Sequence, residues 1–74
     1  MFYVGSIVTP SRPVVFVGRE GHPTIVPGDE LIVVAVDVRK PFASAIPFRT
    51  FWCEFLDGRS IDSSFEIRDL KPLI

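Results

Sequence analysis

Residues 49–74 read RTFWCEFLDGRSIDSSFEIRDLKPLI, and the fold is decided here. Phe51, Cys53 and Phe55 alternate with Trp52 and Glu54, a period of two that predicts a strand over residues 48–56. The charge of Glu54 assigns its own face to solvent, so Phe51, Cys53 and Phe55 are expected in the core. Asp57-Gly58 is a hairpin signal, because glycine takes the positive φ that tight turns need. Residues 60–65, SIDSSF, form the return strand, with Ile61 and Phe65 on one face. Residues 66–70 carry apolar side chains three apart, the spacing of one 3-10 turn, and residues 71–74 close as a short strand.

Upstream, residues 30–38, ELIVVAVDV, predict another strand. Leu31, Val33, Ala35 and Asp37 share one face, and Ile32, Val34, Val36 and Val38 share the other. Period-two logic puts Asp37 outside and the even-numbered set inside. Yet both sets are apolar over most of the strand, as in a strand covered on both faces or lying at an interface. Residues 39–47, RKPFASAIP, form a loop that leaves Phe42 and Ile46 open to a neighbour. Residues 2–8, FYVGSIV, predict the first strand, with Gly5 marking a bulge or a close backbone approach. Thr9-Pro10-Ser11-Arg12-Pro13 is expected to end it, because proline removes a donor and fixes φ. The long loop that follows holds an irregular hairpin, VVFV (14–17) against TIV (24–26), and a turn at Pro27-Gly28-Asp29. No ten-residue window free of Pro and Gly shows helical spacing, so the domain is expected to be all-β.

At 74 residues there is room for one domain, residues 1–74. A chain so short buries only about 60% of its unfolded surface, so it needs an efficient core or a partner. Cys53 is the one cysteine, which excludes an internal disulfide, and with His22 as the one histidine no ligand set for structural zinc exists. Hydrophobic residues make up 47% of the chain, which a dense core or contact with another surface must absorb. The net charge of −1, with no basic or acidic run, offers no footprint for duplex nucleic acid or a membrane surface. No segment approaches the ~18 apolar residues of a membrane span. The start, MFYVGSIVTPSRP, lacks the basic region and long apolar core of a signal peptide. Together with an unpaired cysteine, these features point to the cytoplasm.

The layout of strand, long loop, strand, loop, strand, tight hairpin, strand, 3-10 turn and strand resembles the SH3-like barrel. The carrying residues are PGDELIVV (27–34), TFWCEF (50–55), LDGRS (56–60) and SFEIRDLKPLI (64–74), so the resemblance covers residues 28–74. The ending is similar to that of many small bacterial and phage-encoded SH3-like proteins. The resemblance implies a small five-stranded barrel with a long first loop. It also implies that Leu31 and Val33 point inward, which a bulge before Asp37 would reconcile with an outward Asp37. The whole layout favours that choice. Peptide-binding SH3 domains use an acidic, tyrosine-rich first loop and paired aromatics to grip proline helices. Here that loop carries Val14, Val15, Phe16, Val17 and Arg19, and Glu20 is its one acid before Asp29. Trp52 lies near the place of a ligand-binding tryptophan, but one residue makes no groove. Proline-rich peptides are therefore not the expected ligand.

No catalytic set emerges. Cys53 lies on the expected core face, where a cysteine is a small hydrophobe. His22, between Gly21 and Pro23, is a loop histidine with no second ligand in reach. Glu54, Asp57 and Asp62 gather at the hairpin, but turn chemistry and cross-strand pairing with Arg49 or Arg59 account for them. No glycine pattern cradles phosphate, and Ser63-Ser64 lacks a supporting His–Asp pair. The expectation is therefore a protein with no enzymatic activity, metal or cofactor. It would bind another protein, and also itself, through Phe16, Phe42, Ile46, Phe48 and Trp52. A 74-residue chain opening on Met has the size of a phage or mobile-element accessory protein, which extends the expectation to modulation of a host protein. The alternative is a small barrel that binds single-stranded nucleic acid. Arg12, Arg19, Arg39, Lys40 and Arg49 would form a basic rim beside Phe42, Phe48 and Trp52. Nine acidic residues rank it second. A third reading is a subunit whose site or pore forms only between protomers.

Overall fold

The computed structural model describes residues 1–14 and 24–73, with Asp62 described by its backbone alone. Five strands follow one another: β1 Ile7–Pro10, β2 Leu31–Arg39, β3 Phe48–Phe55, β4 Ser60–Glu66 and β5 Leu70–Pro72. A 3-10 turn, Ile67–Asp69, joins β4 to β5. The strands form one antiparallel sheet in the order β4-β3-β2-β1-β5. The domain is thus all-β, with its described strands and 3-10 turn in the expected sequence. The hydrogen-bonded sheet is open, with β4 and β5 as its edges.

The β2–β3 ladder is the longest, running from Leu31 opposite Phe55 to Arg39 opposite Phe48. Its register shifts between Val33 and Ala35. Ahead of the shift, Leu31 and Val33 are buried; beyond it, Val36, opposite Phe51, packs on the core and Asp37 is exposed. One extra residue reverses the inward phase, so Leu31 and Val33 face the core ahead of it and Val36 packs on the core beyond it, while Val34 and Val38 are exposed. The even-numbered set fails at Leu31–Val33 and holds at Val36.

Phe51 and Cys53 are buried as expected, while Phe55, at the strand end, is half-buried beneath Arg59, whose Cζ lies 4.3 Å from the ring centroid. The hairpin loop has three residues. The Gly58 N–H donates to the Phe55 carbonyl (2.9 Å) and the Phe55 N–H to the Arg59 carbonyl (3.0 Å). Gly58 at φ +94° closes it, the glycine-bulge form of a short hairpin. Ile61 and Phe65 of β4 are both buried.

The first strand lies further along than residues 2–8. Residues 3–6 form a turn, with the Ser6 N–H donating to the Tyr3 carbonyl at 2.9 Å and Gly5 at φ +95°. The Gly5 N–H then meets the Val33 carbonyl at 2.8 Å, a close approach onto β2. Pro10, expected to end the strand, is its buried last residue, paired with Leu70. The reason is local: β2 pairs with β1 only at Ile7 and Val8, so at Pro10 one side of β1 asks for no donor.

The described ends of the long loop meet where the expected irregular hairpin begins and finishes. Val14 and Ile25 form an antiparallel bridge with hydrogen bonds of 2.7 and 3.0 Å, and Ile25 is buried. The rest of the VVFV segment, with Phe16, Arg19 and His22, lies outside the described residues. The Asp29 N–H donates to the Val26 carbonyl at 3.0 Å, Gly28 takes φ +103°, and its N–H donates to Thr9 Oγ1 at 2.8 Å. The 3-10 turn is clamped to the end of β1. Ser11 donates from its N–H to the Asp69 carbonyl (2.9 Å) and from its hydroxyl to the Arg68 carbonyl (2.6 Å), and Arg12 reaches Asp69 Oδ1 at 2.8 Å. At the centre, Phe2 meets Phe51 edge to face at 5.5 Å. Each large core side chain contributes roughly 1.5–3 kcal/mol of transfer free energy, before its ordering cost.

Candidate contact surface

β3 begins past the edge of the core. Phe48 therefore stands half-exposed above the buried Phe51, and a groove of about 520 Å³ opens there. Met1, Pro47, Phe48 and Ile67 wall it, with Arg49, Glu66 and Arg68 at its lip. Met1 arrives because Phe2 packs on Phe51. Ile67 is left outside because the 3-10 turn sends Leu70 into the core instead.

The lip is electrostatically uneven. Arg68 Nε pairs with Glu66 Oε2 at 2.9 Å. Arg49 reaches only the Met1 sulfur, at 3.0 Å, a weak acceptor, and pairs with no carboxylate among the described residues. Arg39 lies directly across from Phe48, and Lys40 follows it. Arg39 is 3.8 Å from Asp37 Oδ2, an oxygen that already accepts the Trp52 indole N–H at 2.8 Å. Three cations thus gather at this end of the ladder.

At the opposite end, a hollow of about 330 Å³ lies among Asp29, Glu30, Phe55, Leu56, Asp57 and Arg59. Leu56 is exposed, tied by its N–H to the Glu30 carbonyl at 3.3 Å. The Arg59 backbone N–H, helped by the guanidinium, holds the Asp57 carboxyl below its ordinary range.

The expected contact residues separate. Phe48 lines the groove. Phe42 and Ile46 are exposed on the preceding loop, in and just past a turn closed by the Ala45 N–H on the Phe42 carbonyl at 3.0 Å, and neither lines the groove. Trp52 is half-buried between Ala35 and Ser64, and its bond to Asp37 makes it a brace across the β2–β3 ladder. Of the expected basic rim, Arg49 lines the groove and Arg39 and Lys40 lie at the same end of the ladder without lining it, while Arg12 is engaged in holding the 3-10 turn. Sequence reasoning missed Met1, Pro47, Ile67 and Arg68. For Ile67 a signal existed, because its 3-10 segment offers two apolar residues and β5 buries only one.

Burial pushes the Cys53 thiol up to about 12, so it stays protonated at neutral pH and behaves as core. Among the described residues, no group of three or more His, Cys, Asp or Glu side chains is placed to hold a metal ion, and no helix is long and apolar enough to cross a membrane. Comparison with protein-family models, with curated proteins and with solved structures finds no match.

Proposed function

We propose that this chain is a non-enzymatic protein-interaction module on an SH3-like barrel, acting in the cytoplasm, which binds another protein and copies of itself. The observation that carries this reading is the groove end of the β2–β3 ladder. There Met1, Val38, Phe48 and Ile67 are all exposed beside an apolar groove. Apolar side chains gathered in one place mark a contact surface, and covering them returns roughly 25 cal/mol per Å². The strand order, with its 3-10 turn before β5, supports the SH3-like scaffold. Modulation of a host protein by a phage or mobile-element product is the same reading extended to the partner.

Sedimentation velocity over a range of micromolar concentrations tests self-association. The wild type is expected to sediment faster as concentration rises, and Phe48→Ser to stay near the monomer value. A wild type that is monomeric throughout overturns the self-association. The same variant is the control bait for a partner. A host protein held by wild type and lost with Phe48→Ser supports the groove, and equal retention removes it.

A second reading is favoured by the position of Arg39, Lys40 and Arg49 with Phe48 at one end of the ladder, a basic and aromatic edge suited to single-stranded nucleic acid. Fluorescence anisotropy with a labelled single-stranded oligonucleotide at low salt decides it. Tight binding that salt abolishes would put this reading first.

A further inference from the structure

The two ends of the β2–β3 ladder complement each other in charge. One end presents Asp29, Glu30 and Asp57 against the single cation Arg59, which Asp57 already engages at 2.7 Å. Asp29 is occupied by the Val26 N–H at 2.8 Å, and Glu30 pairs with no cation among the described residues. Between these acids Leu56 projects into solvent. The other end presents an apolar groove with Arg49 at its lip, unpaired with any carboxylate among the described residues, beside the Arg68–Glu66 pair; Arg39, 3.8 Å from Asp37 Oδ2, and Lys40 follow at the strand end. β2 has nine residues, so at about 3.3 Å per residue the ends lie roughly 25 Å apart and one copy cannot join its own.

We propose that the groove receives a second copy of this chain, head to tail: Leu56 of one copy enters the Phe48 groove of the next, and Glu30 meets Arg49. The inference rests on the self-association reading above and names its surface. A groove-to-groove contact about a two-fold axis would bring the lip residue Arg49 towards its own counterpart, and opposed like charges penalise that arrangement. Head-to-tail contact instead pairs opposite charges and supplies an apolar side chain for an apolar groove. It is heterologous: a pair of copies keeps one free groove and one free Leu56, so assembly runs on to a ring or a filament.

The test is a charge swap read by sedimentation velocity. Glu30 and Arg49 are both exposed, and a far-UV spectrum matching wild type verifies each variant's fold. Wild type is expected to assemble, and to dissociate as salt is raised. Glu30→Lys and Arg49→Glu should each weaken assembly by tenfold or more. An equimolar mixture of the two should assemble again, because Lys at position 30 meets Glu at position 49 and the remaining contacts are native pairs. If wild type and Glu30→Lys assemble equally well, the head-to-tail contact is overturned and self-association stands. A mixture that stays monomeric overturns it too. If wild type itself never assembles, the self-association reading falls, and this inference with it. Should either variant misfold, Glu30→Gln and Arg49→Gln replace the pair, each expected to weaken assembly without restoration on mixing; unaltered assembly in both overturns the proposal.

Discussion

Leu31 and Val38 are aliphatic residues of one strand, both paired to β3, yet Leu31 is 0% exposed and Val38 is 68% exposed. Composition does not separate them. What differs is the other side of the strand. At Leu31 and Ile32, β1 lies alongside and the sheet is continuous from β3 to β5. From Ala35 onward β3 is the one described neighbour of β2, and past Thr50, where the pairing of β3 with β4 stops, Val38–Arg39 and Phe48–Arg49 project as a two-stranded ribbon beyond the core. Burial therefore follows the strands that cross a segment more than the hydrophobicity of the segment. The uncovered apolar half is also where the groove and its cations lie.

The sharpest way to break this comparison is to delete residues on either side of the phase change. Removing Val36 would bring Asp37 into the slot facing Phe51, burying an unpaired carboxylate at a cost of several kcal/mol. The expected outcome is a chain that shows no cooperative thermal transition. Removing Val34, the extra residue, leaves every other β2 residue on its own face and should cost on the order of 1 kcal/mol. If the Val34 deletion unfolds the chain as well, the bulge is not what sets the faces.

Truncation sharpens the contrast with a smaller effect. Leu31→Ala should lose about 2–5 kcal/mol in urea denaturation, from lost transfer energy and the cavity left behind. Val38→Ala should stay within about 0.5 kcal/mol of wild type. A Val38 loss approaching that of Leu31 would show the ribbon to be covered in the isolated protein.

The smallest expected change is a gain. Thr50, opposite Asp37 where the ribbon leaves the sheet, is buried, and its hydroxyl finds no hydrogen-bond partner among the described residues. Replacing that hydroxyl with a methyl group of similar volume removes a desolvation cost, so Thr50→Val should stabilise by roughly 1 kcal/mol. A loss of stability on that substitution would mean that the hydroxyl has a partner.

Much of the fold was legible because strand alternation, turn glycines and a hairpin are local signals. Phe51, Cys53, Ile61 and Phe65 follow from period two, and Pro27-Gly28 and Asp57-Gly58 follow from what glycine alone permits at positive φ. The candidate site was legible only at Phe48 and Arg49, with Arg39 and Lys40 at the same end of the ladder. Trp52 read as a binding residue because an aromatic on the solvent face has no local reason to be there. Its reason is Asp37, fifteen positions away, which no periodicity connects to it.

By itself the sequence determined the all-β class, the order of the strands, the turns and the central core, all set by interactions between residues near in sequence or by period-two alternation. The tertiary structure alone decided that β1 continues through Pro10, that Val34 reverses the faces of β2, and that Met1, Phe48 and Ile67 meet at one groove. Each of these depends on where a neighbouring strand stops. Residues 49–74 could announce a strand, a turn and a return strand, but the length over which β1 covers β2 is settled only when the chain packs together.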